Sequence, residues 1–410
     1  MRVVYLNPCG PMGGAEMSLL DLMASVRAAE PSWQLALVLG EDGPLAEKAK
    51  AAVVQTIVAP FPRALARLGD SGSGPARALW SALRAAFGTI RYASKLRRIL
   101  AELQPDILHT NGFKMHVLAA WARPENAPLI WHVRDYASTR SLMRRLLRLS
   151  AGRCSVAIGN SLSVATDIQK VCPQLETLCV YNAIDLKRYS PLGEKMDLDA
   201  LSGLAPAPAG TVRVGLAATL AHWKGHAVFL RALARLPQDL PYRAYVIGGA
   251  LYQTANSQRT LDELRASAAA LGIADKVGFT GYIADTSGAI RALDVLVHAS
   301  TQPEPFGRVI AEGMACGRAV ICSAAGGAIE LIEEGRNALT HPPGDHETLA
   351  ARIADLVRDP ELRARLGRAG RITAERRFER SRLAEEVIPL YLRLTGHLAP
   401  QTEPRLAATR

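Results

Sequence analysis

At 410 residues the chain is long for one hydrophobic core and comfortable for two domains. With 49% hydrophobic and 21% charged residues it is too apolar to be disordered. No apolar run approaches the ~18 residues needed to cross a bilayer. The net charge of +11 is unevenly placed: residues 51–153 carry 16 Lys and Arg against 5 Asp and Glu, the whole of the surplus. Such a patch suits an anionic membrane surface. Arginine makes up 40 of the 49 basic residues, so a general compositional bias accounts for it equally. Nucleic acid is excluded as a partner, because no aromatic-rich basic groove and no nucleic-acid motif is present.

The first residues, MRVVYLNPCG, are broken too soon by Pro8 for a secretory leader and read as a first buried strand, which implies a cytoplasmic protein. Six scattered cysteines (Cys9, Cys154, Cys172, Cys179, Cys316 and Cys322) form no C-x-x-C pair and no zinc spacing. They read as buried free thiols in a reducing compartment.

Short apolar runs then alternate with helical patterns. Strands are expected at Val3–Leu6, Leu35–Leu39, Val53–Val58, Ile107–His109, Leu129–Val133, Ser155–Ile158 and Thr177–Val180. Helical stretches lie near Ala15–Ala28, Arg77–Leu103, Lys114–Trp121, Thr139–Leu149 and Ser163–Val171. This alternation predicts a parallel, doubly wound sheet, whose ligands gather beyond the C-terminal strand ends. Three features fall there: the glycine-rich turn Gly10–Glu16 containing Gly13 and Gly14, the run His109-Thr110-Asn111-Gly112, and His132 closing LIWHV. The turn is not G-x-G-x-x-G, so no dinucleotide fingerprint is supported. A histidine at a strand end serves structure or chemistry, and the strand alone does not choose.

Residues 185–210 are rich in Pro, Gly and charge and read as an interdomain linker. The D-x-D triplet Asp197-Leu198-Asp199 lies there with no strand leading into it, so no metal site is assigned. The alternation restarts with strands at Val212–Ala217, Ala244–Ile247, Val277–Phe279, Val295–His298 and Ala319–Cys322. Helices are expected at His226–Arg235, Leu261–Leu271, Ser287–Leu293, Val309–Cys316, Ala328–Glu334, Glu347–Arg358 and Glu361–Arg376. A cleft between two such domains is a natural ligand site.

The most informative stretch is TQPEPFGRVIAEGMACG, residues 301–317. A strand leads into a loop holding Glu304, and Gly307 opens a helix carrying Glu312 about 7 to 8 Å further along. The free N–H groups at that helix start suit phosphate. One carboxylate on each side suits the hydroxyls of a nucleotide-sugar, although two glutamates eight apart also arise on ordinary capped surface helices. Lys224, at the head of the preceding helix, places an ammonium within reach of a phosphate or simply of solvent.

In order, GGAE (13–16), WKGH (223–226), EPFGRVIAE (304–312), MACGRAVI (314–321), GGAIELIEEG (326–335) and HPPGD (341–345) resemble glycosyltransferase family 4, with VYNAIDLKRYSP (180–191) similar to its interdomain junction. The likeness runs from residue 1 to about 395. It implies a GT-B fold: an α/β protein of two Rossmann-like doubly wound domains facing a central cleft, with a C-terminal helix crossing back to the first. The domains would be 1–184 on the acceptor side and 211–380 for the nucleotide-sugar, followed by a crossover helix at 381–396 and a disordered tail at 397–410. The resemblance further implies a retaining transferase of polysaccharide biosynthesis. It would use a UDP-, GDP- or ADP-sugar, no cofactor or metal, and a glycan or lipid-linked acceptor.

Residue by residue, Glu312 would hold the donor ribose and Glu304 the transferred sugar. Lys224 and the segment Phe306, Gly307, Arg308 and Val309 would hold the diphosphate, with Gly13 and Gly14 near it on the N-terminal face. His132 would lie beside the reacting sugar. One departure stands out: the family usually has an arginine where Ala218 and Thr219 stand here. Arg308 is the expected replacement cation. Rival readings are a nucleotide-sugar-binding subunit without transfer, a GT-B epimerase, and a membrane-surface adaptor using the basic amphipathic segment 139–149, whose apolar face packs on the sheet equally well.

Overall fold

The computed structural model describes residues 1–52, 54–62, 75–249 and 258–397. The chain divides into two compact units. The first comprises Met1–Asn160, Val164–Val180 and the chain from Ser381 onward; the second comprises Ser161–Ser163 and Tyr181–Arg380.

In the first unit, β1 (Arg2–Asn7), α1 (Gly14–Ala29), β2 (Gln34–Leu39), α2 (Pro44–Ala51), β3 (Gln55–Val58), α3 (Pro75–Leu103), β4 (Ile107–Asn111), α4 (Phe113–Ala122), β5 (Leu129–Val133), α5 (Ser141–Ser150), β6 (Val156–Gly159), α6 (Leu162–Val171) and β7 (Thr177–Cys179) follow in order. The strands form one sheet in the order β3-β2-β1-β4-β5-β6-β7, with every pairing parallel. β4 and β5 are buried throughout, as central strands covered on both faces must be. The order reverses between β1 and β4, so Asn7 and Asn111 stand at the switch point where such sheets bind ligands.

The second unit holds α7 (Leu198–Leu201), β8 (Val212–Ala217), α8 (His226–Leu233), β9 (Tyr242–Ile247), α9 (Leu261–Ala270), β10 (Val277–Gly281), α10 (Thr286–Ala292), β11 (Val295–His298), α11 (Arg308–Ala315), β12 (Ala319–Ser323), β13 (Leu339–His341), α12 (His346–Arg358) and α13 (Pro360–Arg377). Its parallel sheet runs β10-β9-β8-β11-β12-β13, reversing between β8 and β11. Helix starts are locally encoded. Asp345 accepts from the Glu347 and Thr348 N–H groups at 3.0 Å, and Asp359 caps α13 one residue before Pro360.

The last helix, α14 (Arg382–Leu394), belongs to the first unit. Ser25 on α1 ties it down, donating to the Ser381 carbonyl at 3.1 Å and accepting from the Ala384 N–H at 3.0 Å. Among the described residues no helix is long and apolar enough to cross a membrane.

Several elements differ from expectation. Ala328–Glu334 is a 3-10 turn over Gly327–Leu331 rather than a helix, and α2, α7 and β13 had no sequence signal strong enough to name. Residues 185–210, read as a linker, lie within the second unit. There Asp197 caps α7, and the buried Asp199 accepts from Tyr245 at 2.7 Å, Arg243 at 3.0 Å and Arg213 at 3.1 Å. Burial alone would raise its carboxyl, but these donors bring it down to about 2. All six cysteines are free, with Cys9, Cys154 and Cys179 only partly buried. Val53 and the tail from residue 398 lie outside the described residues.

Candidate active site

β11 ends at His298, and the loop behind it folds back so that its carboxylate is enclosed. Glu304 is 8% exposed. It accepts two bonds from the Lys224 ammonium, at 3.0 and 2.9 Å, one from the Ser300 hydroxyl at 2.9 Å, and one from His298 Nε2 at 3.3 Å. Ser300 also lies 3.0 Å from the same His298 nitrogen, so two acceptors face it and Nε2 carries the ring proton. Burial would push the Glu304 carboxyl up, but the Lys224 charge and His298 override it and hold it well below the usual carboxylate range.

Lys224 is placed by its neighbours. Its ammonium lies 3.9 Å from the Trp223 ring centroid, a cation–π contact. The next residue, Gly225, has φ 77, and a Cβ there would sit 1.8 Å from the Ala299 carbonyl oxygen. Only glycine lets this turn close onto the end of β11.

At the start of α11, Gly307 has φ 84, the left-handed conformation that turns the chain into the helix. One turn up, Glu312 is 8% exposed and accepts from Arg308 Nε at 2.9 Å, while Arg308 Nη1 donates to the Ala183 carbonyl at 3.0 Å. The GG-x-x-E turn is stitched to the same loop: the Gly327 N–H donates to the Glu304 carbonyl at 2.7 Å. Two buried carboxylates, each with its own cation, therefore flank the open end of one helix.

In the first unit, Gly13 caps α1 and its N–H donates to the Glu16 carboxylate at 3.1 Å, while the space beside Gly14 is open. The Asn7 amide donates to Glu16 at 3.5 Å and the Asn111 amide to Asn7 Oδ1 at 2.6 Å. Asn111 Oδ1 accepts from Arg134 Nε at 2.5 Å. His132 is 1% exposed. Its Nδ1 lies 3.0 Å from His109 Nε2 and 3.3 Å from Arg134 Nη2, and its Nε2 makes no hydrogen bond among the described residues.

The structure thus brings together Glu304, Lys224, Gly307, Arg308, Val309 and Glu312 in one unit, and His132, Gly13 and Gly14 in the other. Three of the expected site side chains are wholly or largely enclosed. The Phe306 ring is 2% exposed and packs edge-on against Phe378 at 5.8 Å, so only its backbone can face a ligand. Arg308 is committed to Glu312 and a carbonyl rather than offered as a spare cation. His132 is enclosed, and the partly exposed group two residues on is Arg134. Arg134, His298 and Ser300 had escaped notice, yet a two-residue alternation past a strand end puts each on the face of a residue already inspected.

Two Rossmann-like units, each with polar groups at the switch point of a parallel sheet, are the GT-B architecture. The family comparisons agree. Residues 12–188 match the model "Glycosyltransferase Family 4" and residues 207–373 the model "Glycosyl transferases group 1", and the chain belongs to this glycosyltransferase family. Among curated relatives, the lipopolysaccharide core biosynthesis mannosyltransferase LpcC of Rhizobium leguminosarum is 31% identical over 218 residues, 53% of this chain and 60% of that one. The D-inositol 3-phosphate glycosyltransferase of Stackebrandtia nassauensis is 32% identical over 235 residues, 56% of this chain and 51% of that one. The chain thus spans between half and two thirds of the length of these relatives. Anabaena HepE, solved with UDP and with UDP-glucose, is 26% identical, with 95% of this chain and 99% of that one covered at a TM-score of 0.75.

Proposed function

We propose that the protein transfers a sugar from a UDP-sugar to a glycan or lipid-linked acceptor, with retention of anomeric configuration and without a metal ion. The observation that carries this reading is the pair of buried carboxylates, Glu304 and Glu312, on either side of the N-terminus of α11. The family resemblance gives Glu312 the ribose and Glu304 the sugar hydroxyls. The diphosphate between them meets N–H groups of the helix start and the Lys224 ammonium. Breaking the anomeric C–O bond leaves negative charge on the nucleoside diphosphate. Lys224 and the helix end, already oriented, stabilise that charge at no reorganisation cost. In front-face attack the leaving phosphate takes the acceptor's proton, so no protein nucleophile is required.

Uridine is inferred from HepE, whose complexes hold UDP and UDP-glucose. A lipid-linked or polysaccharide acceptor is inferred from relatives named for lipopolysaccharide core synthesis. Metal independence is supported by Asp199, whose carboxylate is spent on Arg213, Arg243 and Tyr245. We also place the protein at the cytoplasmic face of a membrane, because Leu142 and Leu149 on the basic helix α5 are 57% and 75% exposed. The test is a donor-turnover assay with the product anomer read by proton NMR. Turnover that survives EDTA and gives the donor's own anomer is expected; inverted product or strict dependence on a divalent ion overturns the reading.

A further inference from the structure

The second unit carries a pocket at the edge of its sheet opposite Glu304. This surface hollow of about 660 Å³ opens between α13 and the turn Gly317-Arg318, which leads from α11 into β12. Asp294 and Ala319 also line it, where β11 and the parallel β12 begin. The pocket thus adjoins the C-terminus of α11, whereas Glu304 flanks its N-terminus, about 12 Å away along the helix. One glycine brings its walls together: a Cβ on Gly367 of α13 would lie 2.4 Å from the Gly317 carbonyl oxygen.

Four arginines line the pocket against a single carboxylate, Asp294, which already accepts from the Arg213 N–H at 2.8 Å. Three of the four are held by main-chain carbonyls. Arg318 Nη1 donates to Leu293 at 3.0 Å, Arg363 Nη1 to Leu356 at 2.5 Å, and Arg371 Nη1 to Ala315 at 2.6 Å. Of the four, Arg371 alone has an ion-pair partner among the described residues, Glu375 at 2.7 Å. Arg368 is exposed and makes no hydrogen bond or ion pair among the described residues. A compositional excess of arginine would scatter these side chains over the surface, whereas here three separate carbonyls fix them around one hollow. A carbonyl orients a guanidinium without cancelling its charge, so donors and field remain for an anion.

Forked donors from several side chains match a phosphate, with three oxygens and nearly two charges, better than a carboxylate with two oxygens and one. The volume lies in the range of small-molecule sites, roughly 300 to 1,000 Å³. Pro191 and the half-exposed Ile372 add an apolar wall that a bare phosphate would leave uncovered. We propose that this pocket binds a small organic phosphate, at a site separate from the two glutamates at the other end of α11. The inference stands on the pocket alone and does not rest on the transfer reading.

The test is thermal unfolding of the full chain in glycerol phosphate and in inorganic phosphate, each against sodium chloride at equal ionic strength. Glycerol phosphate is expected to raise the wild-type midpoint in a saturable way, and inorganic phosphate to do so at higher concentration. Arg368→Ala removes no internal bond and should raise the apparent Kd about tenfold; Arg368→Glu should abolish the shift. Lys224→Ala should keep it, because that ammonium lies outside the pocket. A shift lost in Lys224→Ala and kept in Arg368→Glu would place the phosphate beside Glu304 and overturn the proposal. No shift beyond that of sodium chloride would overturn it as well. A wild type that no nucleotide-sugar stabilises would end the transfer reading and leave the phosphate result standing.

Discussion

The two units share one plan, a parallel sheet whose order reverses beside its first strand, but they furnish its binding edge in opposite ways. The second unit pairs charge with charge: Lys224 with Glu304 and Arg308 with Glu312, all largely buried. The first holds Arg134 against the Asn111 amide oxygen and the His132 ring, with its charge also acting on the buried Glu16 carboxylate. A paired site can exchange its partners for a ligand's hydroxyls and phosphates without leaving a bare charge. The contrast predicts that charge-removing substitutions are most costly in the second unit.

The largest expected effect is on chemistry. Glu304→Gln keeps the shape and removes the charge that orders Lys224, His298 and Ser300, and turnover should fall about 1000-fold. A loss under tenfold in a steady-state assay would detach Glu304 from the reaction. Next is stability: Lys224→Ala leaves a buried carboxylate without its cation, at a cost of about 3 kcal/mol, read as a lower urea midpoint.

Asp199 tests a buried anion far from any proposed chemistry. Its folded value of about 2 lies below the ordinary 3.8, so the native state binds fewer protons there than the unfolded chain. Its contribution is full above about pH 4 and is lost as pH falls through the folded value. At ~1.4 kcal/mol per unit this is about 2 kcal/mol. Asp199→Asn should cost that much at pH 7 and progressively less toward pH 2, in denaturant titrations at each pH; an equal cost at both ends would assign the loss to packing.

Arg308→Ala separates a diphosphate cation from a residue that positions Glu312. The structure favours the second, so donor KM should rise about tenfold, ~1.4 kcal/mol, with kcat nearly unchanged. A fall in kcat alone would restore the first. The smallest effect is expected at the surface. Leu142→Ser with Leu149→Ser should weaken binding to anionic vesicles in a sedimentation assay, and high salt should abolish it; equal binding to neutral vesicles would contradict the electrostatic part.

The same contrast explains what could be read without coordinates. The second unit's site lies in short contiguous motifs, so Lys224, Glu304, Gly307 and Glu312 were legible from strand–loop–helix logic and family likeness. The pairing of Arg308 with Glu312 was also within reach, since four residues along a helix is one turn. In the first unit Gly13, Gly14, the run His109–Gly112 and His132 were legible as strand-end features, but the contacts among them were not, because they join separate segments and Tyr391 arrives from the far end of the chain. His132 was found as a strand-end histidine, but its burial was not legible, because sequence does not report burial. The linker reading of 185–210 rested on proline and glycine, which mark a break in regular structure but do not show that Asp199 anchors that segment to Arg213 and Arg243.

The central claim is that α11 and its two glutamates hold a nucleotide-sugar, and thermal unfolding with a panel of UDP-, GDP- and ADP-sugars tests it most directly. A ligand at 100 times its Kd stabilises the folded state by about 2.7 kcal/mol. A UDP-sugar should raise the midpoint of the wild type and lose that effect in Glu312→Ala. A panel in which no nucleotide-sugar shifts the wild type, or in which the shift survives Glu312→Ala unchanged, would contradict it.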